Sequence, residues 1–404
     1  MSDFQTRLKA KDFKLSLLLE ITKAINSNYS TARLLEMFED ILKNKLSIGK
    51  AMLFGHYEEW KCLLHFGSDR EHETIQVKRD LFPIKDISTL NISNDELRSS
   101  FEIVVPVYHK EKPLAYLLLG DMEEQKIEFS TVIKHLPFIQ TLTNIIIVAI
   151  ENKKLYKETL RQATLTKELE LASEMQQMLF PESLPDDNIV SAAAVYLPHH
   201  QVGGDYYDFF YVTPDDILLC MGDVSGKGVS AALLMSNFQA NLRALAPLHQ
   251  NVASLAYQLN KKVFQSAKGE KYITVFLAKY NITSKQLSFI NAGHPAPFLI
   301  NGENKIMLES SYPGLGMMEE TEFLQSAQIH LTSNSLLFCC TDGVLEQENH
   351  EGVPFGHEKL AALLFENKSN RPKAVNKNIV LALESYKGSE MYSDDITLLT
   401  CRFL

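Results

Sequence analysis

From near Ser130 to Leu179 the chain keeps helical spacing, and Pro181 and Pro185 then bring the segment to an end. At 404 residues the chain is too long for one ordinary core, so this segment reads as the connector between two domains. The patterns on either side of it differ. Before it, residues 4–46 read as two helices parted at Asn26-Ser27-Asn28, with Ser30 or Thr31 as the cap of the second. Strand-like runs follow at 51–57, 61–66, 101–107 and 114–120, the last two forming a hairpin signal around Pro113. After it, strands fit 189–197, 206–212, 216–222, 272–280, 286–291, 296–300, 324–330, 335–341 and 396–403. Helices fit 229–246, 252–267, 357–366 and 374–386. Strands in runs with helices grouped between them predict an α+β layered domain and argue against a doubly wound sheet. The expected division is 1–150, a helical linker at 151–180, and 181–404.

Within the linker, Gln162, Leu165, Leu169, Ala172, Gln176 and Leu179 are spaced 3-4-3-4-3. That is the alternation of a coiled-coil seam, and equally of one amphipathic helix packed on its own domain.

A net charge of −10 without a Lys/Arg cluster excludes nucleic acid as the main partner. The N-terminus lacks a signal-peptide core, and the most apolar run, Ile145 to Ile150, is far short of the roughly 20 residues of a membrane span. Five scattered cysteines without C-x-x-C spacing read as buried reduced thiols of a cytoplasmic protein. Neighbouring Cys339 and Cys340 should point to opposite faces of one strand.

Four acidic motifs stand at strand–loop boundaries of the C-terminal half: Gly203-Gly204-Asp205-Tyr206-Tyr207-Asp208, Gly222-Asp223-Val224-Ser225-Gly226-Lys227-Gly228, Thr341-Asp342-Gly343, and Ser393-Asp394-Asp395-Ile396-Thr397. An apolar strand ending in Asp-Gly puts a carboxylate on a rim and lets the backbone turn away. Carboxylates gathered from several strands repel one another unless a cation lies between them. Hard divalent ions favour such oxygen ligands, and a pair of them suits attack of water on a phosphate ester. One such motif is commonplace turn chemistry, whereas four in one domain are a specific signal.

In order, Met175-Gln176-Gln177-Met178-Leu179-Phe180-Pro181, these four motifs and Asn291-Ala292-Gly293-His294-Pro295 resemble the SpoIIE/RsbU-type branch of PP2C-like phosphatases. The resemblance implies a β-sandwich flanked by helices, holding two divalent cations, Mn²⁺ or Mg²⁺. By motif position it implies Asp205 and Asp223 as central ligands, the Val224 carbonyl as a backbone ligand, and Asp342 and Asp394 completing the site. Gly204, Asp208, Gly226, Lys227 and Asp395 are expected in support. Asp208 should anchor its loop by hydrogen bonds. Asp395 is the weaker ligand of its pair, since the related PP2C motif has Asn there. Lys227 stands where many relatives have His. Residues 189–204 lack the Arg with which larger PP2C enzymes hold phosphate; His199 and His200 are weak substitutes, and His294 reads as a loop-stabilising histidine rather than a catalytic one.

The N-terminal half resembles a GAF domain in its first helix, its hairpin and the exit helix with Ala149-Ile150-Glu151-Asn152, without the Asn-Lys-Phe-Asp-Glu type signature of cyclic-nucleotide-binding members. Assigning Cys62 and His65 to a chromophore or metal goes beyond the sequence. The implied protein is a regulated phosphatase, dimeric through its N-terminal half and linker. Its substrate would be a phosphoserine or phosphothreonine protein, an anti-sigma-factor antagonist of STAS fold. A non-catalytic scaffold of the same fold is one alternative. A diguanylate cyclase is another, disfavoured because Tyr206-Tyr207 follows Gly-Gly-Asp where that family has Glu-Phe.

Overall fold

A computed structural model describes residues 2–56, 59–67, 75–89, 101–121, 131–320 and 325–404. It divides into two compact units, 1–163 and 164–404, each with its own core. The limits expected at residues 57, 130 and 324 lie outside the described residues.

The first unit opens with helices α1 (Ser2–Asn26) and α2 (Thr31–Asp40), the latter capped by the Ser30 hydroxyl, which accepts from the Arg33 N–H at 3.2 Å. Strands β1 (Lys50–His56) and β2 (Trp60–Phe66), a short helix α3 (Val77–Asp80) and β3 (Ser88–Thr89) follow. Strands β4 (Ile103–His109) and β5 (Lys112–Gly120) complete one antiparallel sheet, ordered β2-β1-β5-β4-β3. Pro113 lies inside β5, beside a register shift at Val107/Tyr108. Helix α4 (Thr131–Gln177) buries Ile139, Leu142, Ile146, Ile147 and Ile150 against one sheet face. By length and composition one stretch of this helix could cross a membrane. Burial of those side chains in the unit's core is what a core helix shows.

The second unit has ten strands, five α-helices and one 3-10 turn (Ala246–Leu248) among its described residues beyond the end of α4. Strands β7 (Tyr206–Tyr211), β8 (Asp216–Val224), β9 (Ile273–Asn281), β10 (Gln286–Ala292) and β13 (Ala327–His330) form an antiparallel sheet in the order β13-β10-β9-β8-β7. A second antiparallel sheet is ordered β12-β11-β14-β15-β6, from β6 (Val190–Leu197), β11 (Phe298–Asn301), β12 (Asn304–Met307), β14 (Ser335–Cys340) and β15 (Ile396–Phe403). Side chains alternate across each strand, which makes both sheets apolar on both faces. Ile217, Leu219 and Met221 join Leu337, Cys339 and Leu399 in the core between the sheets. Leu218 and Cys220 face helices α5 (Val229–Leu245) and α6 (Val252–Ala267) instead. On the outer face of the second sheet, Phe338 and Cys340 meet α8 (Gly356–Glu366) and α9 (Pro372–Lys387). Cys339 and Cys340 therefore do point to opposite faces, and all five cysteines are free. The architecture is a helix-flanked β-sandwich within an α+β chain.

Two local expectations change. The strand β12 was not anticipated; it returns from β11 through Gly302, whose φ is +64°. Thr341-Asp342-Gly343 is not a turn but the start of a short helix, α7 (Asp342–Glu346). Gly343 is absent from the positive-φ residues, so no left-handed turn requires it. What it needs is space, because a Cβ there would strike the Asp395 carbonyl oxygen.

Candidate metal centre

Two adjacent strands and two chain crossings from the other sheet bring the acidic motifs to one end of the sandwich. Asp205 immediately precedes β7, and Asp223 is the penultimate residue of the neighbouring β8, where Tyr206 pairs with Gly222. The Val224 N–H donates to the Gly204 carbonyl at 3.3 Å, tying the two loops together. Asp342 follows β14, and Asp394 and Asp395 precede β15, which pairs with β14.

Asp205 lies deepest, 2% exposed. Its Oδ2 accepts from the Thr341 hydroxyl at 2.8 Å and from the Thr397 hydroxyl. Burial, then the Asp223 charge, hold its carboxyl well above the usual carboxylate range against those two hydroxyls. Burial and the charges of Asp342 and Asp394 push Asp223 up to about 7, while a hydrogen bond with Asp205 opposes the rise. Asp342 is raised too, by burial, Glu346 and Asp394. Mutual repulsion of this kind is what a cation relieves.

A cavity of about 210 Å³ opens beside these groups, lined by Asp223, Val224, Asp342, Asp394, Gly204 and Lys227 among others. A Cβ on Gly204 would come 2.9 Å from the Val224 carbonyl oxygen and 3.2 Å from Asp223 Oδ1. Glycine thus keeps open the space beside two of the expected ligand oxygens. The donor set is carboxylates plus a backbone carbonyl, the oxygen-only chemistry that Mg²⁺ and Mn²⁺ take. These residues fit such ions. Among the described residues, however, no three His, Cys, Asp or Glu side chains stand close enough to enclose an ion as placed. Lys227 stands at the same rim, its Nζ 2.8 Å from Asp394 Oδ2 and 3.1 Å from the Ser393 carbonyl oxygen. The bond to Asp394 raises the lysine's pKa, with further help from Asp395 and Asp342.

The remaining expected residues take separate places. Asp395 Oδ1 accepts from the His199 N–H at 2.7 Å and Oδ2 from the Gly204 N–H at 3.1 Å, so it staples the loop preceding β7. Asp208 is fully buried in β7, where Arg243 of α5 donates Nε and Nη2 to its two oxygens, each at 2.8 Å. The Tyr206 hydroxyl and the Phe209 N–H also donate to it. Gly226 and Gly228 have φ of +85° and +76°, flanking Lys227 with backbone that other residues rarely adopt. His200 lines the cavity, whereas His199 contributes only its backbone. His294 is buried and neutral, lowered to about 3 by burial, and hydrogen-bonds Thr274 at 3.3 Å.

Four contributors were not assigned a part in the site from sequence. Thr341 and Thr397 lie inside quoted motifs, but only the fold shows both hydroxyls on Asp205. Arg243, a cation within an apolar helix, was the one available signal for the Asp208 anchor. Gln176, placed on the linker seam by spacing, is instead buried against Gly203.

Residues 213–404 match the family Stage II sporulation protein E (SpoIIE). Phosphoserine phosphatase RsbU of Bacillus subtilis (strain 168) is 28% identical over 249 residues, spanning 61% of this chain and 73% of RsbU. Phosphoserine phosphatase RsbP of the same organism is 26% identical over 235 residues, 57% of this chain and 56% of RsbP. This chain therefore spans only a little over half of RsbP's length. Among solved structures, the SiaA-PP2C domain of Pseudomonas aeruginosa aligns at a TM-score of 0.55 and 21% identity, over 60% of this chain and 99% of that domain. That likeness concerns the fold.

Proposed function

We propose, from the premise that the C-terminal domain is a SpoIIE-type PP2C phosphatase domain homologous to RsbU, that this protein is a serine/threonine protein phosphatase dependent on Mn²⁺ or Mg²⁺. The observation that carries the reading is the buried acidic group: three carboxyls from three strand ends, each raised by burial and by its neighbours' charge. Such a group is poorly matched to a merely structural role: among the described residues its ion pair is that of Lys227 with Asp394, at the rim.

Two divalent cations bound there would supply Lewis acidity for in-line attack of water on phosphorus. Asp205, Asp223, Asp342, Asp394 and the Val224 carbonyl would hold them. Thr341 and Thr397 both donate to Asp205 Oδ2, which fixes that carboxyl beside Asp223. Asp395 orders the loop, and Gly204 keeps the ligand side open. Lys227, half-exposed at the mouth, offers the cationic group that residues 189–204 lack for an incoming phosphate.

The substrate proposed is a phosphoserine or phosphothreonine protein, an anti-sigma-factor antagonist of STAS fold, in cytoplasmic partner-switching signalling. Two relatives bear the name phosphoserine phosphatase, which supports the choice of residue. The N-terminal unit, read as a GAF-like sensor over 1–150, would regulate the domain through the linker at 151–180. The seam positions Gln162, Leu165 and Ala172 are exposed on α4, with Leu169 half-buried between them, which supports pairing of two such helices in a homodimer.

The test is phosphate release from a phosphoserine STAS-domain protein with Mn²⁺, comparing the full chain with Asp205→Ala and Asp342→Ala. Loss of most turnover in both variants is expected. Undiminished release by both variants, or by the wild type in chelator, refutes the reading.

A further inference from the structure

The family match begins at residue 213, yet the loop carrying Asp205 is gripped by a side chain well before it. Gln176 lies in the last turn of α4 and is 6% exposed. Its Nε2 donates to the Gly203 carbonyl at 2.8 Å, and its Oε1 accepts from the Gly203 N–H at 3.1 Å. One side-chain amide thus pairs with both backbone groups of a single residue, as a neighbouring strand would. Gly203 is two residues from Asp205. From the other side Asp395 holds the adjacent Gly204 N–H, and a Cβ on Gly203 would collide with the Asp395 carboxylate and the Tyr196 hydroxyl. The residues just after Gln176 are also docked: the Phe180 ring lies 4.8 Å from Tyr196 and 5.0 Å from Tyr207 between centroids.

We propose that Gln176 is a positioning residue of the acidic site, setting the path of Gly203–Asp205 and so the placement of Asp205 beside Asp223. The proposal rests on the phosphatase reading for its kinetic consequence, but not for its structural one. The chemistry singles out glutamine. Leucine keeps the bulk and makes neither bond, leaving a buried N–H and C=O without partners. Ionised glutamate keeps the acceptor for the Gly203 N–H but sets a negative oxygen against the Gly203 carbonyl. The bland alternative is an amide that merely satisfies a helix end. It predicts lost stability and nothing at the site.

The experiment uses the full chain with Gln176→Leu, Gln176→Glu, and Gln177→Leu as a control at the exposed neighbour. Three quantities are read: hydrogen exchange at residues 199–206 without divalent cations, Mn²⁺ affinity by calorimetry, and kcat and KM with a phosphoserine protein. Both Gln176 variants should raise exchange at Gly203 and Gly204 and weaken Mn²⁺ binding, each by about tenfold for the loss of a buried hydrogen-bond pair. They should lower kcat more than they alter KM, while Gln177→Leu leaves all three as in the wild type. Unchanged exchange at the loop overturns the clamp. A lower melting temperature with wild-type Mn²⁺ affinity also overturns it, since that is the helix-end role. If wild-type protein releases no phosphate, the phosphatase reading fails instead, and exchange and Mn²⁺ affinity still decide the clamp.

Discussion

Arg243→Met tests the role of Asp208 as an anchor of β7 and not a cation ligand. Arg243 Nε and Nη2 each donate at 2.8 Å to a carboxylate whose side chain is 0% exposed, while the arginine itself is 43% exposed. Methionine keeps an aliphatic stem and removes the charge together with the guanidinium, whose Cζ lies 5.3 Å from the centre of the Phe210 ring. Stripping one partner from a buried pair costs about 3–5 kcal/mol. Here the arginine is partly screened, and Tyr206 and Phe209 still donate to Asp208, so the loss should be about 2–3 kcal/mol. For a unit of this size that lowers the melting temperature by about 5–10 °C. Calorimetry on the wild type, Arg243→Met, Asp208→Asn and the double variant closes the cycle. A coupling energy of about 2 kcal/mol is expected, with Mn²⁺ affinity moved far less than stability. Additive losses, or a loss for Arg243→Met below about 0.5 kcal/mol, would refute the reasoning.

Three further outcomes follow from the same geometry. In chelator, Asp223 titrates at about 7 folded and near 3.9 unfolded, so the folded chain binds more protons between those values. Asp223 therefore contributes a loss of cation-free stability as pH rises from about 4 through 7, against the gain contributed by His294, which burial lowers to about 3; in melting scans the wild type should lose stability relative to Asp223→Asn across that range, and a relative gain contradicts the carboxyl assignment. Gly204→Ala places a methyl 2.9 Å from the Val224 carbonyl oxygen, and calorimetry should show Mn²⁺ binding weakened by about tenfold or more; wild-type affinity would mean the cation lies elsewhere. Lys227→Met removes the ammonium competing for Asp394 and should tighten Mn²⁺ binding by up to about fivefold, the scale of a half-exposed ion pair, while raising KM for the phosphoprotein; weaker Mn²⁺ binding contradicts it.

Much of the fold and of the site is legible in the sequence. Strands such as Leu336–Cys340 and Leu218–Met221 announce themselves because both faces of each sheet are covered, making every position apolar. The acidic motifs are legible as a set because each places Asp at a strand–loop boundary, three of the four beside Gly. What stayed hidden depends on contacts between residues far apart in the chain. Thr341 and Thr397 reach Asp205 across 136 and 192 residues. Gln176 satisfies a heptad by spacing alone, and no periodicity distinguishes an amide facing another helix from one facing a loop 27 residues on. Gly343 reads as a turn glycine, yet its role is close approach to Asp395. Local pattern reports which face a side chain takes, not which partner waits there.

The most direct test of the account is single-turnover release of phosphate from a phosphoserine protein, titrated with Mn²⁺ from a chelated start, on the wild type and Asp223→Asn. The expected result is no release in chelator, release that saturates with Mn²⁺ in the wild type, and at most a small residue in Asp223→Asn at the same concentrations. Release in chelator, or equal titrations for the two proteins, would contradict the claim that the acidic centre performs the chemistry.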